Sequence, residues 1–206
     1  AQPDLTPGEK YLRTLEHLGS GSLISDVSQY TLNNLQKSYA QLDQGTVEQI
    51  VDILLRSDRK YIAGFRGTAC CAQYMASKLL FLTPHVVPIL HADATAVENL
   101  LDITERDCLF LYSFPRYSEI ARPLMEIARE SGAKVILMTD RRTSPLANKA
   151  DVVVTAQVDG LGFTNSYVAP LSLSEVILLS VSGRKDVTDS KRFNRIDSVM
   201  EREKLY

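Results

Sequence analysis

The sequence predicts a three-layer α/β fold in which a five-stranded parallel sheet lies between helices. Five short apolar runs recur after residue 60, and helix-compatible stretches separate most of them. The runs occupy residues 61–63, 86–90, 108–112, 135–138 and 152–154. Each run is continuous instead of alternating with polar residues, which is typical of strands buried on both faces. Alternation of such strands with helices indicates βαβ units, and therefore parallel strands.

Helices are predicted on either side of these strands in the chain. Residues 1–44 read as a helical lead-in, and a helix with an apolar face begins near Thr46, its expected N-cap. The clearest crossover helix spans residues 118–130, with Ser118 as its expected N-cap. Residues 168–181 are apolar nearly all round, which predicts a buried helix. We divide the chain into the lead-in (1–44), a main α/β domain (45–184) and a C-terminal helix (185–206).

Composition and charge exclude several classes of protein. The formal net charge of −2 and the pI of about 6.0 argue against nucleic-acid binding by this chain alone, because such binding usually needs a basic face. No apolar run approaches the ~18 residues that span a bilayer, and the polar N-terminus lacks the apolar stretch of a signal peptide. The three cysteines form no CxxC pair and are expected to be reduced thiols of a cytoplasmic protein. The chain begins with Ala1 instead of Met, so we expect it to be a piece of a longer protein.

The loop after the first predicted strand is a candidate binding site. Ligands of an open parallel sheet bind at the carboxyl ends of its strands. This loop runs from Gly64 to Thr68, and glycine lets the backbone turn sharply and approach a ligand. Thr68 stands where the next helix starts, and Arg66 offers a planar cation for an anion. The alternative is a plain strand-to-helix turn capped by Thr68.

The loop after the third predicted strand, residues 113–118, has the same character. It offers two hydroxyls and one cation, from Ser113, Ser118 and Arg116. Pro115 stiffens the loop, which lowers the entropic cost of ordering it around a ligand. A rigid helix cap with an exposed arginine is the alternative. A second anion-friendly loop at the equivalent place in the sheet favours a binding site.

Other features leave alternatives open. Arg141 and Arg142 follow the fourth predicted strand and are more typical of a solvated turn than of a ligand site. Glu175 is the one charged residue within 168–181, so it is either paired across an interface or functional. His91 follows the second strand, as a structural histidine or a general base. Because the sequence has no metal-ligand cluster and no nucleotide-binding glycine motif, we predict neither a metal nor a cofactor.

Taken together, the loops resemble those of the sugar isomerase (SIS) domain, in particular the effector domain of RpiR/MurR-type transcriptional regulators. The family's first loop reads roughly G-x-G-x-S before a helix with A and K-L, and its second reads S-x-S-G-x-T. Its third has T-D or T-N, then S-P-L-A, then A-D before a strand. The corresponding positions here are Gly64, Arg66, Thr68, Ala72, Lys78 and Leu79, then Ser113, Pro115, Arg116 and Ser118, then 139–140, 144–147 and 150–151. The resemblance covers about residues 45–184.

This resemblance implies a five-stranded parallel sheet, assembly into dimers or tetramers, and a sugar phosphate held by Thr68, Ser113 and Ser118. It also implies that the lead-in joins the domain to an upstream DNA-binding domain. Family enzymes use a carboxylate from the late helix region for aldose–ketose isomerisation, and Glu175 is its loose counterpart here.

The departures from the family pattern shift the expected ligand. Arg66 and Arg116 stand where the family has glycines, and Pro115 removes one hydroxyl. We interpret this as a site for a sugar acid, or for a phosphate displaced toward the arginines. The predicted ligand-binding residues are Gly64, Arg66, Thr68, Ser113, Arg116, Ser118 and Glu175. The leading hypothesis is a non-enzymatic, ligand-sensing domain of a transcriptional regulator. The alternatives are a sugar-phosphate isomerase and a ligand-free assembly module.

Overall fold

Five strands form one parallel sheet in a computed structural model that describes residues 6–18, 22–162, 164–188 and 191–205. The strand order is β2-β1-β3-β4-β5. The strands are β1 (Lys60–Gly64), β2 (Val86–Ile89), β3 (Cys108–Tyr112), β4 (Lys134–Thr139) and β5 (Val152–Thr155). The predicted sheet is confirmed, and every strand boundary lies within one residue of its apolar run.

Helices cover both faces of this sheet. They are α1 (Pro7–Leu18), α2 (Leu23–Gln41), α3 (Gln44–Arg56), α4 (Ala69–Leu82), α5 (Ala94–Glu98), α6 (Ala121–Glu130), α7 (Val168–Ser182), α8 (Lys185–Thr188) and α9 (Arg192–Arg202). On one face α3, α4 and α7 pack with Ile62 and Phe110, and on the other α5 and α6 pack with Leu109 and Val135. The three-layer arrangement is therefore confirmed. None of the helices in the described ranges is both long enough and apolar enough to cross a membrane.

The central strand β3 illustrates why continuous apolar runs predict this sheet. Phe110 and Tyr112 point to one layer, Leu109 and Leu111 point to the other, and all four are at most 1% exposed. Burial of a side chain of this kind contributes about 1.5–3 kcal/mol. The strand that leads into residues 113–118 is therefore held firmly on both faces.

Two helices begin at residues other than those predicted. α3 begins at Gln44 because the Asp43 carboxylate is its N-cap and accepts the Thr46 amide at 2.8 Å. The side-chain hydrogen bond from Thr46 also holds the pKa of Asp43 below its usual value. α6 begins at Ala121, and Ser118 is not its side-chain cap. Ser118 instead accepts the Ala121 amide with its backbone carbonyl at 3.0 Å, so capping does not engage its hydroxyl.

Helices from both ends of the chain pack on the sheet-bearing part. α2 lies against α7, where the Tyr39 and Ser172 hydroxyls are 2.7 Å apart. α9 lies against α4, and the Arg192 guanidinium donates to the Leu80 carbonyl at 2.6 Å. The division of the chain at residues 44 and 184 stays a prediction.

Candidate ligand-binding site

The strand order places a crevice between β1 and β3. The chain runs from β1 to β2 on one side and then returns to β3 on the other, so the loops that follow β1 and β3 diverge. A cavity of about 370 Å³ lies at this position. Its described lining is Phe65, Arg66, Gly67, Thr68, Tyr112, Ser113, Phe114, Pro115, Arg116, Ser118, Thr164, Asn165 and Tyr167. The two predicted loops thus meet in one cavity, together with a third segment that precedes α7.

The first loop is closed by its own hydrogen bonds. The Thr68 hydroxyl accepts the Phe65 amide at 2.7 Å and donates to the Phe65 carbonyl at 2.8 Å. A Cβ atom on Gly64 would lie 2.6 Å from the Thr68 carbonyl oxygen, so glycine is required where the loop folds back. Thr68 does not cap α4 with its side chain, as its position had suggested. The proton of its hydroxyl is engaged within the loop, and its part in ligand binding stays a prediction.

Ser113 is the lining residue whose hydrogen-bonding capacity is most clearly unused. Its hydroxyl is buried and has no partner among the described residues, a property it shares with Thr83 and Ser144, which lie outside the lining. The Ser113 amide donates to the Met138 carbonyl at 3.0 Å, which ties the start of the loop to β4. An unsatisfied buried hydroxyl costs about 1–3 kcal/mol. A ligand that bonds to Ser113 would remove this cost.

Arg66 and Arg116 share an unusual backbone conformation. Their φ angles are 53° and 67°, in the left-handed region that favours glycine. This conformation costs other residues about 1–2 kcal/mol. Such strain persists where the surrounding structure enforces it, and it is concentrated at ligand sites. The same two positions carry glycine in the family pattern, so this chain keeps the backbone conformation and adds two cations to it.

The two guanidinium groups are uncompensated within the described structure. Both residues are exposed, and neither side chain forms an ion pair or a hydrogen bond with another described residue. The described lining contains no carboxylate, imidazole or lysine. The cavity therefore has a positive potential, and an anionic ligand would be attracted to it.

Tyr167 forms an aromatic wall beside these cations. Its ring packs against the Phe114 ring with centroids 5.9 Å apart, and a Cβ atom on Gly67 would lie 2.6 Å from the Tyr167 ring. Burial raises the pKa of the Tyr167 phenol, so this hydroxyl stays neutral near physiological pH. Asn165 donates to the Pro115 carbonyl at 3.3 Å and so links the third segment to the second loop. A planar or ring-shaped ligand would find an apolar surface next to the arginines.

The remaining candidate residues lie elsewhere. Gly64 shapes the first loop without lining the cavity, and Glu175 lies half-buried within α7, away from the described lining. His91 is exposed beyond β2, and Arg141 and Arg142 are exposed beyond β4. Sequence reasoning missed Thr164, Asn165 and Tyr167. Their signal would have been the rule that named the first two loops, since the segment after β5 also leaves a carboxyl edge.

Comparison with known proteins agrees with this architecture. The family model of the SIS domain matches residues 53–180. No curated protein matches the chain.

Several solved structures have the same fold. The sugar isomerase domain of an RpiR transcription factor from Sphaerobacter thermophilus superposes with a TM-score of 0.81 at 22% identity, covering 88% of this chain and 99% of that one. The Vibrio vulnificus NanR protein complexed with ManNAc-6P has a TM-score of 0.73 at 16% identity and covers 90% of this chain and 71% of its own. The E. coli CFT073 protein c3406, in complex with a sugar phosphate, has a TM-score of 0.71 at 16% identity, over 85% of this chain and 95% of its own.

Proposed function

The chain belongs to the SIS domain family, and we propose that it is the ligand-sensing domain of a transcriptional regulator that binds an acidic sugar derivative. The observation that carries this proposal is the composition of the cavity between β1 and β3. Two uncompensated arginines, the unpaired Ser113 hydroxyl and the Tyr167 ring meet there. This set offers charge-assisted hydrogen bonds to an anionic group and an apolar surface to the rest of a small ligand.

Two classes of ligand suit these groups. A sugar phosphate is supported by NanR and c3406, whose structures each contain one, ManNAc-6P in the case of NanR. A sugar acid is supported by the geometry of an arginine fork, which matches a carboxylate with two parallel hydrogen bonds. In either case the anion would lie nearer to Arg66 and Arg116 than glycine-bearing loops would permit.

The lack of a base in the described lining favours sensing over catalysis. An aldose–ketose isomerase moves a proton between adjacent carbons and needs a base beside the sugar. Neither Glu175 nor His91 is a lining residue. The isomerase alternative makes a clear demand: the chain should interconvert sugar phosphates, and Glu175→Gln should abolish that turnover. Stereospecific product formation that Glu175→Gln removes would therefore replace our proposal.

A sensing role also implies partners. We propose that DNA is contacted through an upstream domain of a longer cytoplasmic protein, and that this chain forms homodimers or homotetramers. Exposed apolar side chains on α2 and α7 support self-association, with Ile24 at 88% and Leu179 at 66% exposure. Sedimentation of the chain at increasing concentration would measure the oligomer size.

A thermal-shift screen tests ligand binding directly. The panel contains ManNAc-6P, pentose and hexose phosphates, and sugar acids, and each acid is paired with its neutral parent sugar. A ligand at 100 times its Kd adds about 2.7 kcal/mol. This raises the Tm of a domain of this size by roughly 5–10 °C. If no acid raises the Tm more than its neutral parent, the ligand-free assembly module becomes the better account.

A further inference from the structure

Helix α2 is held on the domain by polar contacts. Its buried side chains are Asn34 and Ser38, whereas apolar residues such as Ile24 and Leu32 are exposed. Asn34 Nδ2 donates to the Asp159 carbonyl at 2.5 Å. Ser38 Oγ accepts the Gln157 amide at 2.8 Å and donates to the Asn34 carbonyl at 2.7 Å. A helix fixed by a few directional bonds can dock and undock more readily than one that buries a large apolar face.

The partners of these side chains belong to one stretch of the chain, residues 155–161, which we call the anchor segment. Two more contacts reach it from the N-terminal helices. Thr14 Oγ1 on α1 donates to the Leu161 carbonyl at 2.5 Å, and Thr155 Oγ1 donates to Gln41 Oε1 at 2.6 Å. Both α1 and α2 are therefore attached to the anchor segment.

The anchor segment leads directly to the residues that line the cavity. Thr164, Asn165 and Tyr167 belong to the cavity segment, residues 164–167. The Ser166 amide donates to the Val158 carbonyl at 3.0 Å, so the two segments are bonded to each other as well as close in sequence. A displacement of either segment thus changes the position of the other.

We propose that the anchor and cavity segments couple ligand binding to the docking of α1 and α2. This inference rests on the proposed function, because it describes how that same cavity is regulated. The cavity segment reaches Pro115 and Gly67 while α2 is docked. Ligand binding would hold the cavity segment in place and strengthen docking, and undocking would weaken ligand binding by the same factor. In a longer regulator the N-terminal helices would carry this change toward the upstream domain.

Hydrogen–deuterium exchange on the full chain tests the coupling without a ligand. Asn34→Ala removes one docking bond, and Asn33→Ala is the matched control because Asn33 is an exposed neighbour on the same helix. We expect Asn34→Ala to accelerate exchange about fivefold or more in both segments, the lower end of typical coupling factors, and Asn33→Ala to leave both unchanged. Faster exchange confined to α2 and the anchor segment would overturn the proposal. If Asn34→Ala fails to fold, Thr14→Val replaces it, because valine keeps the side-chain shape and loses the hydroxyl.

Calorimetry with ManNAc-6P and inorganic phosphate separates this proposal from the proposed function. Asn34→Ala should raise the Kd of a binding probe about fivefold or more, and Asn33→Ala should not. If the wild-type chain binds a probe and Asn34→Ala has the same Kd, the coupling is wrong and the binding function stands. If neither probe nor any acid of the thermal-shift panel binds, the proposed function fails, and the exchange measurement still decides the coupling.

Discussion

Replacing the strained arginines with glycine should separate binding from stability. In Arg116→Gly and Arg66→Gly the new residue adopts the left-handed backbone without strain and loses the guanidinium. Relief of about 1–2 kcal/mol of backbone strain is set against the higher conformational entropy of glycine in the unfolded chain, about 0.5–1 kcal/mol. The free energy of unfolding should therefore stay level or rise by up to roughly 1 kcal/mol.

Ligand binding should respond in the opposite direction. A hydrogen bond to a charged group contributes about 1.5–3 kcal/mol. Each 1.4 kcal/mol corresponds to about a tenfold change in Kd. Loss of one arginine should accordingly weaken binding of an acidic ligand by about 10- to 100-fold, with no loss of Tm.

Calorimetry and thermal unfolding on the same samples make the comparison. His85→Gly is the matched control, because His85 also has a left-handed φ of 57° and lies at the amino end of β2, at the opposite edge of the sheet from the cavity. It should gain the same backbone relief and keep the wild-type Kd. The reasoning is wrong if both arginine variants bind as tightly as wild type, or if they lose several degrees of Tm while His85→Gly does not.

Three further outcomes follow from the same geometry. Ser113→Ala should leave the Tm unchanged or slightly higher and weaken ligand binding about tenfold, because it removes an unsatisfied buried hydroxyl that a ligand would use; a large fall in Tm would contradict this. Gly67→Ala should lower the stability by about 1–3 kcal/mol and impair binding, since its Cβ would overlap the Tyr167 ring; chemical denaturation measures it, and a neutral effect would count against the packing. Affinity for a sugar phosphate should fall as the pH drops below about 6, where the phosphate takes up a proton. Affinity for a sugar carboxylate should stay level down to about pH 5, because the arginines remain charged; calorimetry at several pH values distinguishes the two ligand classes.

The sheet could be predicted from sequence because both faces of each strand are buried. Continuous runs such as 108–112 are hard to place in a surface helix, and the spacing between runs left room for crossover helices. The loops after β1 and β3 followed from the same reasoning, since parallel strands present their carboxyl ends at one edge. The fold and two of the three cavity segments are therefore consequences of patterns that the sequence displays openly.

The rest depends on contacts between distant residues or on choices between similar residues. Asp43 and Thr46 are both good capping residues, and only the hydrogen bond between them shows which one starts α3. The Thr68 hydroxyl bonds within its loop because Phe65 lies close, which residue type alone does not reveal. Glu175 lies on a helix that is apolar nearly all round, so the hydrophobic pattern has no phase that tells which way its side chain points.

The most direct test of the binding site is a crystal structure of the chain with an acidic sugar that raises its Tm. We predict that the anionic group lies in the cavity between β1 and β3, within hydrogen-bonding distance of the Ser113 hydroxyl and of the guanidinium of Arg66 or Arg116. An anion bound at another surface, with this cavity unchanged and without ligand, would contradict the account.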